Sequence, residues 1–128
     1  MNETTDPRVW IEIAEEDLRT AESALHRKNP MLRTACFHAQ QCAEKYLKAA
    51  LVAHRQSFQK THDLYALSEL CAKAGILLEM DKDKLDLLSS HAALVRYPGL
   101  PLEIQDAKDA LATARIARKF VRTLLGVK

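Results

Sequence analysis

Apolar residues recur at steps of three and four along most of this chain. Because an α-helix turns once in about 3.6 residues, that spacing places them on one face of a helix. The clearest runs are Trp10, Ala14, Leu18, Ala21 and Leu25 near the start, and Ala107, Ala110, Ala114, Ala117, Val121 and Leu124 near the end. No stretch alternates apolar and polar residues as a half-buried strand does. The pattern predicts an all-α fold.

Proline, glycine and short polar residues mark where these helices begin and end. Asp6-Pro7 and Asn29-Pro30 each set a capping side chain before a proline, which suits the first helical position. Gly75 and Gly126 suit the left-handed residue that follows many helices. We predict an antiparallel up-and-down bundle of about five helices, over about 7–28, 30–55, 61–74, 81–95 and 103–125.

Composition narrows the class of protein. A chain of 128 residues has enough surface to bury for one core, so we predict a single domain over residues 1–128. No run reaches the ~20 consecutive apolar residues of a membrane span, and the first residues are polar and acidic, unlike a secretory signal. The three cysteines lack the spacing of a disulfide framework. We therefore expect a cytoplasmic protein without a membrane segment.

Three segments, in this order, resemble the HEPN family of prokaryotes and higher eukaryotes: FHAQQCAEKYLK at 37–48, KTHDL at 60–64 and RYP at 96–98. With the first helix and the helix plan, the resemblance covers nearly the whole chain. It implies a helical bundle that commonly dimerises and often pairs with a separate minimal nucleotidyltransferase, frequently as a toxin–antitoxin pair. Some members of the family are metal-independent ribonucleases, and others bind nucleotides or act as scaffolds.

The ribonuclease motif of the family is incomplete here. Its active members carry an arginine and a histidine separated by four to six residues late in the bundle. The late arginine in this chain is Arg96, but proline, leucine and glutamate stand at positions 101–103, where the histidine is expected. Arg33 and His38 have the right separation but lie on the predicted second helix, and His62 is a further weak catalytic candidate. We expect no catalysis from the usual motif.

A polar stripe follows the predicted second helix. Gln40, Glu44 and Lys48 recur every four residues, and Gln41 and Lys45 lie beside them. One interpretation is a solvated face with a Glu44–Lys48 ion pair. The other is a polar groove, in which the lysines contact phosphate and the glutamines hydrogen-bond a base or a partner.

Four residues outside this helix extend the polar groove. His62, beside Lys60, lies at the predicted start of the third helix, where free N–H groups attract anions; the alternative role of this segment is capping, by Thr61 or Asp63. Arg96 and Tyr97 add a guanidinium and a stacking ring on a proline-bounded loop. The full hypothesis is a phosphate-binding pocket formed by Lys45, Lys48, Lys60, His62 and Arg96, with Gln40, Gln41, Glu44 and Tyr97 lining the groove.

Two further patterns bear on partners. Arg115, Arg118 and Arg122 repeat along the last helix and form either a solvated face or a nucleic-acid stripe. The alanine-rich seam of that helix, with the small residues of the second, predicts a homodimer.

His38 and Cys42 share a helix face, but without a second ligand pair we expect no metal and no cofactor.

The sequence therefore predicts a HEPN-like bundle that binds nucleotide or RNA phosphates without catalysis and acts with a separate minimal nucleotidyltransferase. The first alternative is a ribonuclease toxin that uses His38 or His62. The second is a pure protein-interaction module.

Overall fold

The computed structural model of the chain describes residues 5–58, 60–94 and 101–128, except for the side chains of 91–94. These residues form five helices and no strand. In chain order the helices are α1 (Pro7–Leu25), α2 (Leu32–Ala53), α3 (Leu64–Lys73), α4 (Lys82–Leu94) and α5 (Ile104–Leu124). The predicted all-α bundle of five helices is confirmed.

Helix α2 is the centre of the bundle and packs against each of the other four helices. Its burial is correspondingly wide, because 13 of its 22 residues are buried. A helix enclosed in this way is expected to be apolar on nearly every side. Gln40, Glu44 and Lys48 nevertheless lie among the buried residues, so each of them needs a polar partner inside the fold.

The connection between α1 and α2 differs from the sequence prediction. Helix α1 starts as expected, with the Asp6 side chain accepting a hydrogen bond from the Arg8 N–H at 2.9 Å. It ends at Leu25, however, and α2 begins only after Met31, so Asn29 caps neither helix. The reason lies in the backbone: the Met31 N–H donates to the Ala24 carbonyl at 2.8 Å, which folds the chain back before α2 can start.

The other helix ends are close to their predicted positions. Asp63 caps α3 by accepting from the N–H groups of Tyr65 and Ala66, while Thr61 only accepts from the Asp63 N–H. Gly75 and Gly126 both have positive φ angles, as predicted for residues that follow a helix.

The alanine-rich seam of α5 is buried within the chain rather than left for a partner. Its buried members are Ala107, Ala110, Ala114, Ala117 and Val121, and on α2 the small residues Ala35, Ala39 and Ala43 are fully buried as well. Small side chains on both helices let α2 and α5 approach closely and form much of the core. The reason given above for a homodimer is therefore wrong, and the homodimer itself stays a prediction.

Two further findings concern the membrane and the thiols. None of the described helices is both long enough and apolar enough to cross a membrane. Cys36, Cys42 and Cys71 are free and buried. Burial raises the pKa of all three thiols, to about 11 for Cys36 and Cys71. They are small apolar core residues rather than nucleophiles.

Candidate functional site

The buried carboxylate of Glu44 is the centre of a polar cluster between α2 and the start of α3. Its Oε2 atom lies 3.1 Å from Lys48 Nζ and 3.3 Å from Lys45 Nζ, and its Oε1 atom lies 2.8 Å from His62 Nδ1. Only 1% of the Glu44 side chain is exposed. The Glu44 cluster consists of Gln40, Gln41, Glu44, Lys45, Lys48 and His62.

Glu44 stays ionised despite its burial. Burial pushes the pKa of this carboxyl upward, but Lys45, His62 and Lys48 together outweigh that effect and hold the pKa below its usual value. The negative charge in turn holds both lysines against α2. Because Lys45 and Lys48 follow Glu44 by one and four residues, most of this ion pairing is internal to a single helix.

The two glutamines of the Glu44 cluster connect α2 to the backbone of the segment that precedes α3. Gln40 Nε2 donates to the carbonyl of His62 at 2.7 Å, and Gln41 Nε2 donates to Gln40 Oε1 at 2.8 Å. Gln40 is also 1% exposed. The interpretation of this stripe as a solvated face is therefore wrong, and Gln40 is engaged inside the protein rather than directed at a base.

Lys48 is the most enclosed cation of the Glu44 cluster. Only 4% of its side chain is exposed. Its Nζ lies 5.5 Å from the centroids of both the Trp10 and the Phe58 rings, a distance at which a cation is attracted to the ring face. Lys48 is therefore a buried ion-pair partner, and it does not belong to the surface that a ligand can reach.

The accessible side of the Glu44 cluster consists of His62 and part of Lys45. The His62 side chain is 65% exposed and that of Lys45 is 16% exposed. Because Nδ1 of His62 contacts Glu44, its Nε2 is the nitrogen left for a ligand. Lys60 is exposed two residues before His62. Three of the five predicted phosphate-binding residues thus meet at Glu44, namely Lys45, Lys48 and His62. Arg96 and Tyr97 lie outside the described residues.

Arg33 and His38, the paired catalytic candidates of the second helix, both lie within α2. They stand five residues apart on α2, so their side chains leave the helix about 140° apart. His38 places Nδ1 2.8 Å from Asp17 Oδ1 on α1, and its ring lies edge-on to that of Phe37. Within the described part of the chain, no group of three or more potential ligands is arranged to hold a metal ion.

A second polar cluster was not predicted from the sequence. Glu15 on α1 accepts a hydrogen bond from the Tyr46 hydroxyl at 2.5 Å and two from Arg118, at 2.9 and 3.2 Å. Arg122 Nη1 lies 3.4 Å from the same hydroxyl and 3.9 Å from Glu15 Oε1. We call Glu15, Tyr46, Arg118 and Arg122 the Glu15 cluster. It corrects the interpretation of the α5 arginines as a merely solvated face.

The two clusters lie on opposite sides of α2. Glu44 and Tyr46 are two residues apart, which corresponds to about 200° around the helix axis. Burial, with the neighbouring Glu15 carboxylate, raises the pKa of Tyr46 to about 12, so its hydroxyl remains a donor. The sequence signal for the Glu15 cluster was that acidic residues on α1 and arginines on α5 recur at matching spacings. Glu22 and Arg115, which lie 2.9 Å apart, follow the same pattern.

Comparison with known proteins identifies the family. The model of the HEPN domain matches residues 7–124. The chain belongs to the HEPN family. Its fold is similar to the crystal structure of TT1696 from Thermus thermophilus, with 26% sequence identity and a TM-score of 0.73 over 94% of this chain and 98% of that one. It is also similar to ST0689, an archaeal HEPN homologue, with 26% identity and a TM-score of 0.63 over 92% and 96%. No curated protein matched the sequence.

Two of the three segments that resemble the HEPN family meet in the Glu44 cluster. Segment 37–48 supplies the five α2 residues of the cluster, and segment 60–64 supplies His62. The Glu44–His62 contact and the hydrogen bond from Gln40 to the His62 carbonyl join them. Part of the HEPN-like sequence pattern is thus a polar contact between α2 and the segment that precedes α3.

Proposed function

We propose that this HEPN protein binds nucleotide or RNA phosphates, without catalysis, at the accessible side of the Glu44 cluster. The observation that carries the proposal is the Glu44–His62 contact at 2.8 Å. It holds the imidazole by Nδ1 and leaves Nε2 on an exposed ring. Lys45 contacts the same carboxylate as that ring, and the exposed Lys60 stands two residues before His62 in the chain.

Lys45 keeps a donor for a ligand. An ammonium group has three N–H donors. Among the described residues, Lys45 directs one to Gln41 Oε1 at 2.8 Å and one to Glu44 Oε2 at 3.3 Å. The third can therefore reach a phosphate oxygen. Glu44 carries one negative charge against the two positive charges of Lys45 and Lys48, so the cluster is net positive even with neutral His62.

Calorimetric titration with ATP and with a short single-stranded RNA tests this site. We expect saturable binding that weakens with salt, with a log–log slope near −0.7 for each RNA phosphate neutralised. His62→Ala should weaken binding by about 10- to 150-fold, because a hydrogen bond to a charged group contributes about 1.5–3 kcal/mol. Lys108→Ala, which removes an exposed lysine of α5, is the control. Equal affinities for both variants would refute the site.

The proposal includes assembly, as a homodimer and with a separate minimal nucleotidyltransferase. Membership of the HEPN family supports both. A groove of about 210 Å³ between α4 and α5 supports the dimer, because Leu87 and Ile116 are 48% and 41% exposed there beside Lys84 and Asp109. A symmetric second copy would bury the apolar pair and match each charge with its opposite.

Light scattering at micromolar concentrations tests the dimer. We expect twice the mass of one chain, and Ile116→Asp should return the protein to a monomer. Co-expression with the product of the neighbouring gene tests the second partner, if that gene encodes a small nucleotidyltransferase. A monomeric parent protein, or a nucleotidyltransferase that does not co-purify, would remove the corresponding part of the proposal.

A second candidate function, RNA cleavage, is favoured by the same Glu44–His62 contact. A carboxylate that orients one ring nitrogen prepares the other to accept a proton from a ribose 2′-OH, and Lys45 can stabilise the developing phosphorane. Incubation of end-labelled RNA in the presence of a chelator decides between the two functions. Cleavage that is lost in His62→Ala but kept in His38→Ala would establish the ribonuclease, and intact RNA supports binding alone.

A further inference from the structure

A second basic surface lies on the opposite side of α2 from the Glu44 cluster. It is a groove of about 670 Å³ between α1 and α5, with Glu15 and Glu22 among its lining residues. Its cationic lining residues are Arg19, Arg115, Arg118, Lys119, Arg122 and Lys128. Six positive charges against two negative ones give the groove a net charge of +4, whereas the whole chain carries +2. Positive charge is therefore concentrated on this face.

Only part of this charge is neutralised within the protein. Glu15 pairs with Arg118 and lies 3.9 Å from Arg122, and Glu22 pairs with Arg115. Arg19 and Lys119 are exposed and form no ion pair among the described residues. The carboxylates hold the arginines along the groove, while Arg19 and Lys119 line it from α1 and α5. The groove can therefore take up an anion without breaking an internal ion pair.

The lining chemistry favours a nucleic acid over an acidic protein. Stable protein interfaces have an apolar, desolvated centre. The described lining of this groove has only Leu18, which is buried, and the half-buried Val127 as large apolar side chains. Nucleic-acid interfaces are more polar and far more positive than protein interfaces, and arginine contacts phosphate with two parallel hydrogen bonds.

We infer that this groove holds the phosphodiester backbone of a nucleic acid without reading its bases. None of the described lining residues carries an aromatic ring on which a base can stack. The α5 cations from Arg115 to Arg122 extend over about 10 Å, since a helix rises about 1.5 Å per residue. Such an array contacts successive phosphates, so binding should be independent of sequence and strongly dependent on salt.

This inference does not rest on the phosphate site at His62, because the two surfaces share no residue. Fluorescence anisotropy with a labelled RNA duplex, its single strand and a DNA duplex of the same sequence tests it. Arg19→Glu/Lys119→Glu should weaken binding of the preferred nucleic acid at least tenfold. The salt slope should fall in magnitude by about 1 for each phosphate that the variant no longer neutralises. Two strands of unrelated sequence should bind equally well.

Lys73→Glu/Lys108→Glu is the matched control, since it makes the same change in net charge at exposed positions outside the groove. It should bind nearly as the parent protein does, and circular dichroism should show both variants folded. The groove is refuted if the two double variants lose equal affinity, or if the parent binds poly-glutamate but no nucleic acid. Loss of affinity in His62→Ala with none in Arg19→Glu/Lys119→Glu would likewise overturn the inference and leave a single phosphate site, at the Glu44 cluster.

Discussion

Glu44 and Glu15 are two carboxylates that neutralise cations on opposite sides of the same helix, yet they do different work. Glu44 is 1% exposed and pairs with two lysines of its own helix, while Glu15 is 23% exposed and pairs with residues of α2 and α5. The first therefore compensates charge that α2 itself brings into the core. The second joins α1 to the neighbouring α2 and to α5, at the other end of the chain.

The difference in burial determines what happens when either carboxylate is lost. Without Glu44, the Lys48 ammonium would lose its buried counter-ion at 4% exposure, beside two aromatic rings. Without Glu15, Arg118 can turn its guanidinium to solvent, because 38% of its side chain is already exposed. Glu44 should therefore matter more for stability, although its ion pairs link fewer elements.

The largest effect should come from Glu44→Gln. Removing one partner of a buried ion pair leaves an uncompensated charge, so we expect the free energy of unfolding to fall by about 3–5 kcal/mol. Urea unfolding followed by circular dichroism measures it. The double variant Glu44→Leu/Lys48→Met removes both charges and should recover most of the loss. A cost for Glu44→Gln below that of Glu15→Gln would reverse the comparison.

Glu15→Gln should cost less, about 1–3 kcal/mol, mainly because the buried Tyr46 hydroxyl loses its charged acceptor. The same urea experiment measures it, with Glu12→Gln at an exposed position of α1 as control. A double-mutant cycle with Arg118→Gln should show a coupling above about 0.5 kcal/mol, as residues in contact do. Additive costs would mean that Glu15 does not join α1 to α5.

Lowering the pH should weaken the ion pairs of both clusters. The pKa values of Glu44 and Glu15 are lowered in the folded protein from an ordinary 4.5. Their stabilising contribution is therefore complete above about pH 4.5 and is lost as the pH falls through the folded pKa values. The free energy of unfolding should decline below pH 4.5, and less steeply in Glu44→Gln. An equal decline in that variant would show that Glu44 is not linked to acid unfolding.

The smallest effect should come from the exposed Arg115–Glu22 pair. Its side chains are 48% and 38% exposed, and such pairs contribute about 0.2–1 kcal/mol. We expect Arg115→Ala to lower the free energy of unfolding by no more than this, and added salt to remove most of the difference. A salt-insensitive loss of several kcal/mol would place this pair in the same class as Glu44.

The sequence was sufficient for the helices and for part of the site. Five helices could be predicted because the signals for a helix are local. Apolar spacing, the Asp6-Pro7 start and Gly75 each affect only the backbone within a few residues. The predicted Asn29 cap was wrong, because the backbone hydrogen bond from Met31 to Ala24 folds the connection back and α2 begins only after Met31. His62 and Lys45 were expected at one site and lie together there, whereas Lys48 was expected to meet a ligand and is buried.

What the sequence alone determined is therefore what neighbouring residues decide: helical periodicity, the capping of most helix ends, and the pairing of Glu44 with Lys48 one turn along. Tertiary structure decided which helix faces are buried away from water. Burial of the polar stripe on α2 depends on the helices that surround it, and the partners of Glu15 lie 31 and 103 positions away. A pattern within one helix reports its own geometry, while burial and long-range ion pairs follow from how the helices pack.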